Sequence, residues 1–496
     1  MRLKRRGAGH RIAGAAVPNG LLIDYSDFHE ITIDVDEAAD SRSARRREGQ
    51  PVAQIEGVTG TVLQRGEPGY EDARQAAVWQ HRRPDRYPDM IVRVKNDQDV
   101  MAAVGYAREQ GLKVKAVGGG HSYTNSAIRD GLLVDFKDCH EVTIDPEART
   151  AIASPDVCGN DLNGMLAEHG LFFPSGHCPD VGLGGYLLQG GFGWNSMTLG
   201  MACSSVEAID VVTADGELIH ADDTTNSDYM WAARGSGPGF FGIVTRFYLR
   251  VHPIPRAMLM SLYGYPMDAY DDVAAWALET VKTLPRFVEP FLFGIAPPES
   301  TDPLLFVFAA SYTDDEQEGR DALEVFERCP AIDRAVERRF ATPTTFPELY
   351  DFMAMGAIPG RWAVDGMWTH EPPVTIAPVI RELIENMPNP KSTIFVMPWA
   401  DVDVPNGAFS VQSPLYISAG AIWDDEKDDD RCMAWPGEEM RRFEKYSVGI
   451  QLAEENLINR PARFLSDENL DRLEQLRAKH DPTGVFHSYL KEGEPR

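Results

Sequence analysis

Two periodicities alternate along the first half of the chain. Apolar residues crowd the windows 90–94 (MIVRV) and 113–117 (KVKAV), as they do in short strands, and a helical repeat runs between them. Asn96 stands where a helix N-cap belongs and Gly111 where a helix stops, so 97–110 is predicted helical. Strand, helix, strand reads as a βαβ unit with a parallel pair. The windows 132–136, 142–144 and 150–153 are β-like. A short helix is predicted at 161–169, ended by Gly170, before a glycine-dense stretch at 174–200. Asp215-Gly216 joins 208–213 to 217–220 as a hairpin; 225–233 reads as helix, and 239–250 ends in an alternating strand.

After Pro253 the texture changes. Helical patterns near 270–282, 315–328 and 374–386 interleave with strand patterns at 289–295, 304–312, 393–399 and 413–423. That mixture predicts an α+β domain whose sheet carries helices on one face. The acidic run 424–430 reads as a solvated loop, since it lacks the spacing of a calcium loop. Behind Ser466, residues 467–480 form an amphipathic helix with Leu470, Leu473 and Leu476 on one stripe.

Composition narrows the partners. With 496 residues, 43% hydrophobic and 25% charged, the chain is ordinary globular material for two or three domains. A net charge of −28 argues against nucleic acid and anionic membranes as partners. Six cysteines without a CxxC make no disulfide framework, and no 18-residue apolar stretch exists to span a membrane. The basic start has a short apolar run that stops at Pro18, unlike a secretory signal, so a reduced, cytoplasmic protein is expected.

Residues 7–34 and 118–145 align without a gap, with 14 of 28 positions identical. This partial duplication reads as a leftover copy, and the arginine-rich 39–55 that follows reads as a linker or exposed loop.

Two loops are rich in glycine, 118–120 and 182–193. Neither carries a G-x-G-x-x-G fingerprint opening a helix, so a Rossmann dinucleotide site is disfavoured. Two separate turns rich in N–H groups suit a long pyrophosphate-bearing cofactor lying between them. His121 follows the first glycine run and Cys178 precedes the second. Each has an ordinary structural use as well, as a hydrogen-bonding histidine or a small buried filler. His169, His177 and Cys178 lack metal-ligand spacing, so no metal is expected.

Gly119-Gly120-His121-Ser122-Tyr123 resembles the GGHSY loop of the FAD-linked oxidases of the vanillyl-alcohol-oxidase superfamily. The run from Gly176 through His177, Cys178 and Pro179 to Gly185 resembles the GxCPTVGxGG loop of its berberine-bridge-enzyme branch. Gly190-Gly191-Phe192-Gly193, VVTADG at 211–216, WAARGSGPGFFGIVTRF at 231–247 and AKHDPTGVF at 478–486 extend the likeness over about 56–496. The resemblance implies an α+β fold: a two-part FAD-binding domain of the PCMH type at 56–255 and an α+β substrate domain with an antiparallel sheet at 256–455. Residues 456–496 would return to the FAD domain, and 1–55 would be an extension. It implies FAD held bicovalently through His121 and Cys178. Gly118, Gly119, Gly120, Ser122, Val181, Gly182, Gly184, Gly185, Gly190, Gly191, Gly242 and Ile243 would contribute to the cofactor site. Val181 occupies a position that in some relatives controls oxygen access, and valine there looks oxidase-like.

The chain departs from the family at Gly449–Glu454, at 486–489 and at 237–242, which bears on the catalytic base and the substrate more than on the cofactor. The expected chemistry is hydride transfer from an alcohol-type substrate (a sugar, an aromatic alcohol or a secondary metabolite) to flavin N5, with molecular oxygen reduced to peroxide. Tyr416 on the strand pattern at 413–423 and Glu454 on a late strand are the candidate bases, and Tyr186 could face the substrate. The alternatives are a dehydrogenase using another acceptor and a flavin-carrying binding protein without turnover.

Overall fold

The computed structural model describes residues 54–495 apart from 298–299, 355, 357–359, 401–403 and 405. The duplicated copy at 7–34 lies outside the described residues. The described residues belong to one compact unit.

The first sheet runs in the order Thr61–Gln64, Met90–Arg93, Leu132–Asp135, Val114–Val117. The last three strands are parallel and the first is antiparallel. The helix Asp97–Gln110 connects Met90–Arg93 to Val114–Val117 with the predicted signals: Asn96 accepts from the Asp99 N–H, and Gly111 takes φ 67°. The expected parallel pair is corrected in one respect: Leu132–Asp135 inserts between the two strands. Its four residues are all buried, which suits the centre of a sheet covered on both faces.

The second sheet has five antiparallel strands in the order Val142–Asp145, Thr150–Ala153, Ile243–Arg250, Val206–Val212, Leu218–Asp222. Its core takes in Leu473 and Leu476 of the helix Asp467–His480, capped by Ser466. The segment after that helix reaches the first sheet, where Val114 N–H donates to Val485 O at 2.7 Å and His487 N–H to Val114 O at 3.0 Å.

The third large sheet has seven antiparallel strands in the order Glu337–Pro343, Ala257–Pro266, Leu304–Thr313, Val288–Ile295, Thr393–Pro398, Leu415–Trp423, Arg361–Thr369. The helices Tyr270–Thr280, Glu316–Leu323, Pro373–Glu385 and Asp429–Arg442 bury their apolar stripes in one core with this sheet. An aromatic-rich core on the sheet joins it to Trp194 and Met197 of the glycine-dense stretch.

Three strands of this sheet were not expected: Ala257–Pro266, Glu337–Pro343 and Arg361–Thr369. The acidic run is also corrected. Asp429 opens a helix, binds Arg361 through both carboxylate oxygens, and accepts the Trp423 indole N–H at 2.7 Å. Among the described residues, no helix is long and apolar enough to cross a membrane.

Candidate active site

The loops 118–122 and 176–185 meet backbone to backbone. A Cβ on Gly119 would come within 2.8 Å of Gly182 N, and one on Gly182 within 2.6 Å of Gly119 N. Only glycine at both positions lets the loops approach this closely. Gly120 takes φ 68°, and a Cβ there would strike Ala77 O. Beside these loops lies a cavity of about 800 Å³, a volume suited to a large organic ligand.

Its wall includes Gly118, Gly119, Gly120, His121, Ser122, Cys178, Val181, Gly182, Gly184, Gly185, Gly242 and Ile243. A Cβ at Gly185 would meet nothing, so its backbone is open to a ligand. Gly190 and Gly191 do not line the cavity. They are glycine for local reasons: both have positive φ, and a Cβ would strike Met201 at Gly190 or Ala202 and Tyr186 at Gly191.

His121 is held on two sides. Its ring stacks on Trp79 at 4.0 Å between centroids, and Nε2 lies 3.1 Å from Asp180 Oδ1. The other Asp180 oxygen accepts the Trp79 indole N–H at 2.6 Å. Burial would push the Asp180 carboxyl up, but these hydrogen bonds and the His121 charge hold it below its ordinary value. Cys178 is a free thiol. Burial first, then the nearby carboxylates Asp180 and Glu454, push it up to about 12, so the thiol is protonated near neutrality.

The candidate bases separate. Glu454 lies on the cavity wall with Ser418 and Gln451. It stands on the short 3₁₀ turn Leu452–Glu454, not on a strand as expected; Gly449 makes only a single bridge to Trp368 before the chain turns away. Burial pushes its carboxyl up to about 7, against the weaker downward pull of Ser418, Tyr416 and Gln451. Tyr416 is on the strand Leu415–Trp423 but is fully buried beside Trp368 and does not line the cavity. Burial and the Glu454 and Asp365 carboxylates drive its hydroxyl well above the ordinary tyrosine value. Tyr186 does line the cavity, but its hydroxyl donates to Pro174 O at 2.6 Å. Burial raises its pKa as well.

Residues not singled out beforehand complete the site. Trp79 and Asp180 fix His121 across a separation of 101 residues that no local pattern reveals. Lys115 lines the cavity and donates to Pro238 O at 3.1 Å; burial pulls its ammonium down to about 7. His177, considered only as a metal ligand, pairs instead with Glu289 at 3.0 Å. Among the described residues, no cluster of histidine, cysteine and carboxylate side chains could hold a metal ion.

Residues 88–222 match a family model described as an FAD binding domain. The FAD-linked oxidoreductase nodO of Hypoxylon pulicicidum is 33% identical over 422 residues, covering 84% of this chain and 93% of that protein. The chain belongs to the FAD-linked oxidoreductases. Its fold is shared with 6-hydroxy-D-nicotine oxidase from Arthrobacter nicotinovorans, at TM-score 0.77 and 20% identity, over 90% of this chain and 100% of that one. Wild-type Phl p 4.0202, a glucose dehydrogenase, superposes at TM-score 0.75 and 18% identity over 87% and 96%. The cavity fits the cofactor these relationships imply. Paired glycine backbones leave Gly185 open to a ligand, and a nucleophilic side chain stands on each loop.

Proposed function

We propose that this FAD-linked oxidoreductase is an oxidase for an alcohol-type substrate, with its flavin tethered through His121 and Cys178 and with Glu454 as the proton acceptor. The reading is carried by Glu454. It is the one carboxylate on the cavity wall whose pKa is pushed to about 7, and its field reaches Cys178. A base poised near the working pH removes a hydroxyl proton most effectively. Ser418 and Gln451 line the same wall and pull the carboxyl downward, against its burial.

When bound, the flavin supplies the hydride acceptor and passes electrons onward. Asp180 holds His121 and Trp79 in place, so the imidazole is presented in one orientation before any tether forms. Cys178 must lose its proton to form a thioether, and Asp180 and Glu454 both oppose that loss.

Val181 on the cavity wall supports oxygen as the acceptor. One neighbour of this fold, Phl p 4, is a glucose dehydrogenase as wild type and a glucose oxidase as an isoleucine-to-valine variant. The wild-type activity of that neighbour is also what favours the second reading, a dehydrogenase using another acceptor. Acid precipitation of the purified protein tests the tethers: the yellow colour stays with the pellet and leaves it only when His121→Ala and Cys178→Ala are combined. Peroxide formation in air, compared with reduction of an artificial dye, decides between the two acceptors.

A further inference from the structure

Part of the wall that the seven-stranded sheet contributes to the cavity is aromatic, beside Glu337, Arg339, Thr393 and Ser418 on the same sheet. Phe293 stands directly across from Phe306 on one side and Phe395 on the other, so three phenylalanines form a row over three adjacent strands. The Phe293 and Phe395 rings lie 5.0 Å apart, and Phe352 from the helix Phe346–Ala354 adds an edge 6.4 Å from Phe293. All four line the cavity and are only half-buried. Half-buried aromatic rings facing a cavity favour an apolar occupant. A polyhydroxylated occupant would leave hydroxyls without partners against this row.

At one end of the row stands Phe291, 5.1 Å from Phe395, with the His177 imidazole edge-on to it at 5.0 Å. His177 Nε2 lies 3.0 Å from Glu289 Oε1, and Glu289 Oε2 accepts the Asn195 backbone N–H at 2.7 Å. Glu289 is only 3% exposed. A carboxylate accepts only, so Nε2 carries the hydrogen in this pair, and in the neutral imidazole Nδ1 keeps a lone pair. Among the described residues Nδ1 has no hydrogen-bond partner, yet it is not sealed from the surface, and His177 lines the cavity.

We propose that this end of the cavity takes a bulky, ring-containing apolar molecule bearing a hydroxyl or amine, and that His177, fixed by Glu289, accepts the hydrogen of that group. The inference rests on the reading above that the substrate occupies this cavity, and it narrows the substrate class from alcohols in general to apolar ring alcohols or amines. Glu289 acts through His177 and is a positioning residue.

The test is equilibrium binding to the flavin-loaded enzyme without oxygen, read from perturbation of the flavin spectrum. The probes are 2-naphthylmethanol, 2-methylnaphthalene, 2-naphthaldehyde and glucose. The wild type binds the alcohol about tenfold more tightly than the hydrocarbon, the gain of one hydrogen bond. Glucose does not compete. His177→Phe keeps hydrocarbon binding and loses the preference for the alcohol. Glu289→Gln reverses the tautomer, because the new amide donates to Nε2 and leaves a hydrogen on Nδ1. That variant turns from the alcohol toward the aldehyde, which a merely structural role would not produce. Competition by glucose, or an alcohol preference unchanged in both variants, overturns the inference. Binding with the expected pattern but no flavin bleaching leaves it standing and counts against the proposed reaction instead.

Discussion

Arg460→Met should be among the most damaging single substitutions outside the cavity. Asp365 lies mid-strand in the seven-stranded sheet, 0% exposed, and Arg460 is 3% exposed. The guanidinium grips the carboxylate at two points, Nε to Oδ2 at 2.8 Å and Nη2 to Oδ1 at 2.6 Å, and also donates to Gly366 O at 2.9 Å. Removing one partner of such a pair strands a buried charge and costs about 3–5 kcal/mol. For a unit of this size that lowers Tm by about 3–5 °C. The pair also anchors the segment just after Glu454 to the strand Arg361–Thr369, so Glu454 loses its fixed position. Adding Asp365→Asn to Arg460→Met removes the stranded charge and recovers about 2 kcal/mol or more. The pH dependence has a definite sign. Burial holds the Asp365 carboxyl above its ordinary value despite Arg460, and without the guanidinium it rises further. A raised carboxyl costs stability increasingly as pH climbs above its unfolded value of about 4. The deficit of Arg460→Met is thus largest at neutral pH and shrinks in acid. Thermal melts of both variants across pH check this. Strict additivity of the two substitutions, or a deficit that does not change with pH, would refute the reasoning.

Three further outcomes are expected. Glu454→Gln lowers the rate of anaerobic flavin bleaching by about 10²–10⁴; the wild-type rate rises as pH climbs through about 7, and the variant's does not. Gly119→Ala drives a Cβ onto Gly182 N, so the loops separate, and flavin absorbance per protein falls even where far-ultraviolet circular dichroism is unchanged. Asp180→Asn removes a carboxylate that pushes the Cys178 thiol up, so iodoacetamide labels Cys178 of the flavin-free protein faster near pH 8, while the fraction of acid-stable flavin drops because His121 loses its anchor.

The parts of the fold that could be read in advance are those with a local cause. Asn96 and Ser466 each cap a helix by accepting an N–H three residues on, and Gly111 stops one by adopting positive φ. The Asp215-Gly216 turn joins two strands that pair as read. The missed strand Arg361–Thr369 shows the opposite situation. Asp365 and Gly366 are poor strand residues by local preference. Asp365 is tolerated because Arg460 reaches it from 95 positions away, and Gly366 because a Cβ there would come within 2.2 Å of the Tyr416 hydroxyl. The placement of Leu132–Asp135 between two strands earlier in sequence likewise follows from burial on both faces and not from any pattern within those strands.

The same distinction explains why the cofactor was legible and the substrate was not. One side of the cavity is two short loops whose glycines answer to backbone crowding, so their identity is written in a few consecutive residues. The facing wall is assembled from side chains on separate strands, Phe293, Phe306 and Phe395, whose meeting depends on sheet register. The long-range partners of the polar groups were equally hidden: His177 finds Glu289 across 112 positions, and Arg460, soon after the turn that carries Glu454, finds Asp365 across 95. Register and long-range pairing vary without disturbing the glycine loops, which lets one flavin cradle face different walls. Substrate choice in this chain should therefore move with substitutions on the seven-stranded sheet, while flavin content stays fixed. Phe395→Ser, which adds a hydroxyl to the aromatic row, is the direct trial: it should weaken naphthalene binding by about tenfold or more through lost apolar contact, with the flavin absorbance per protein unchanged.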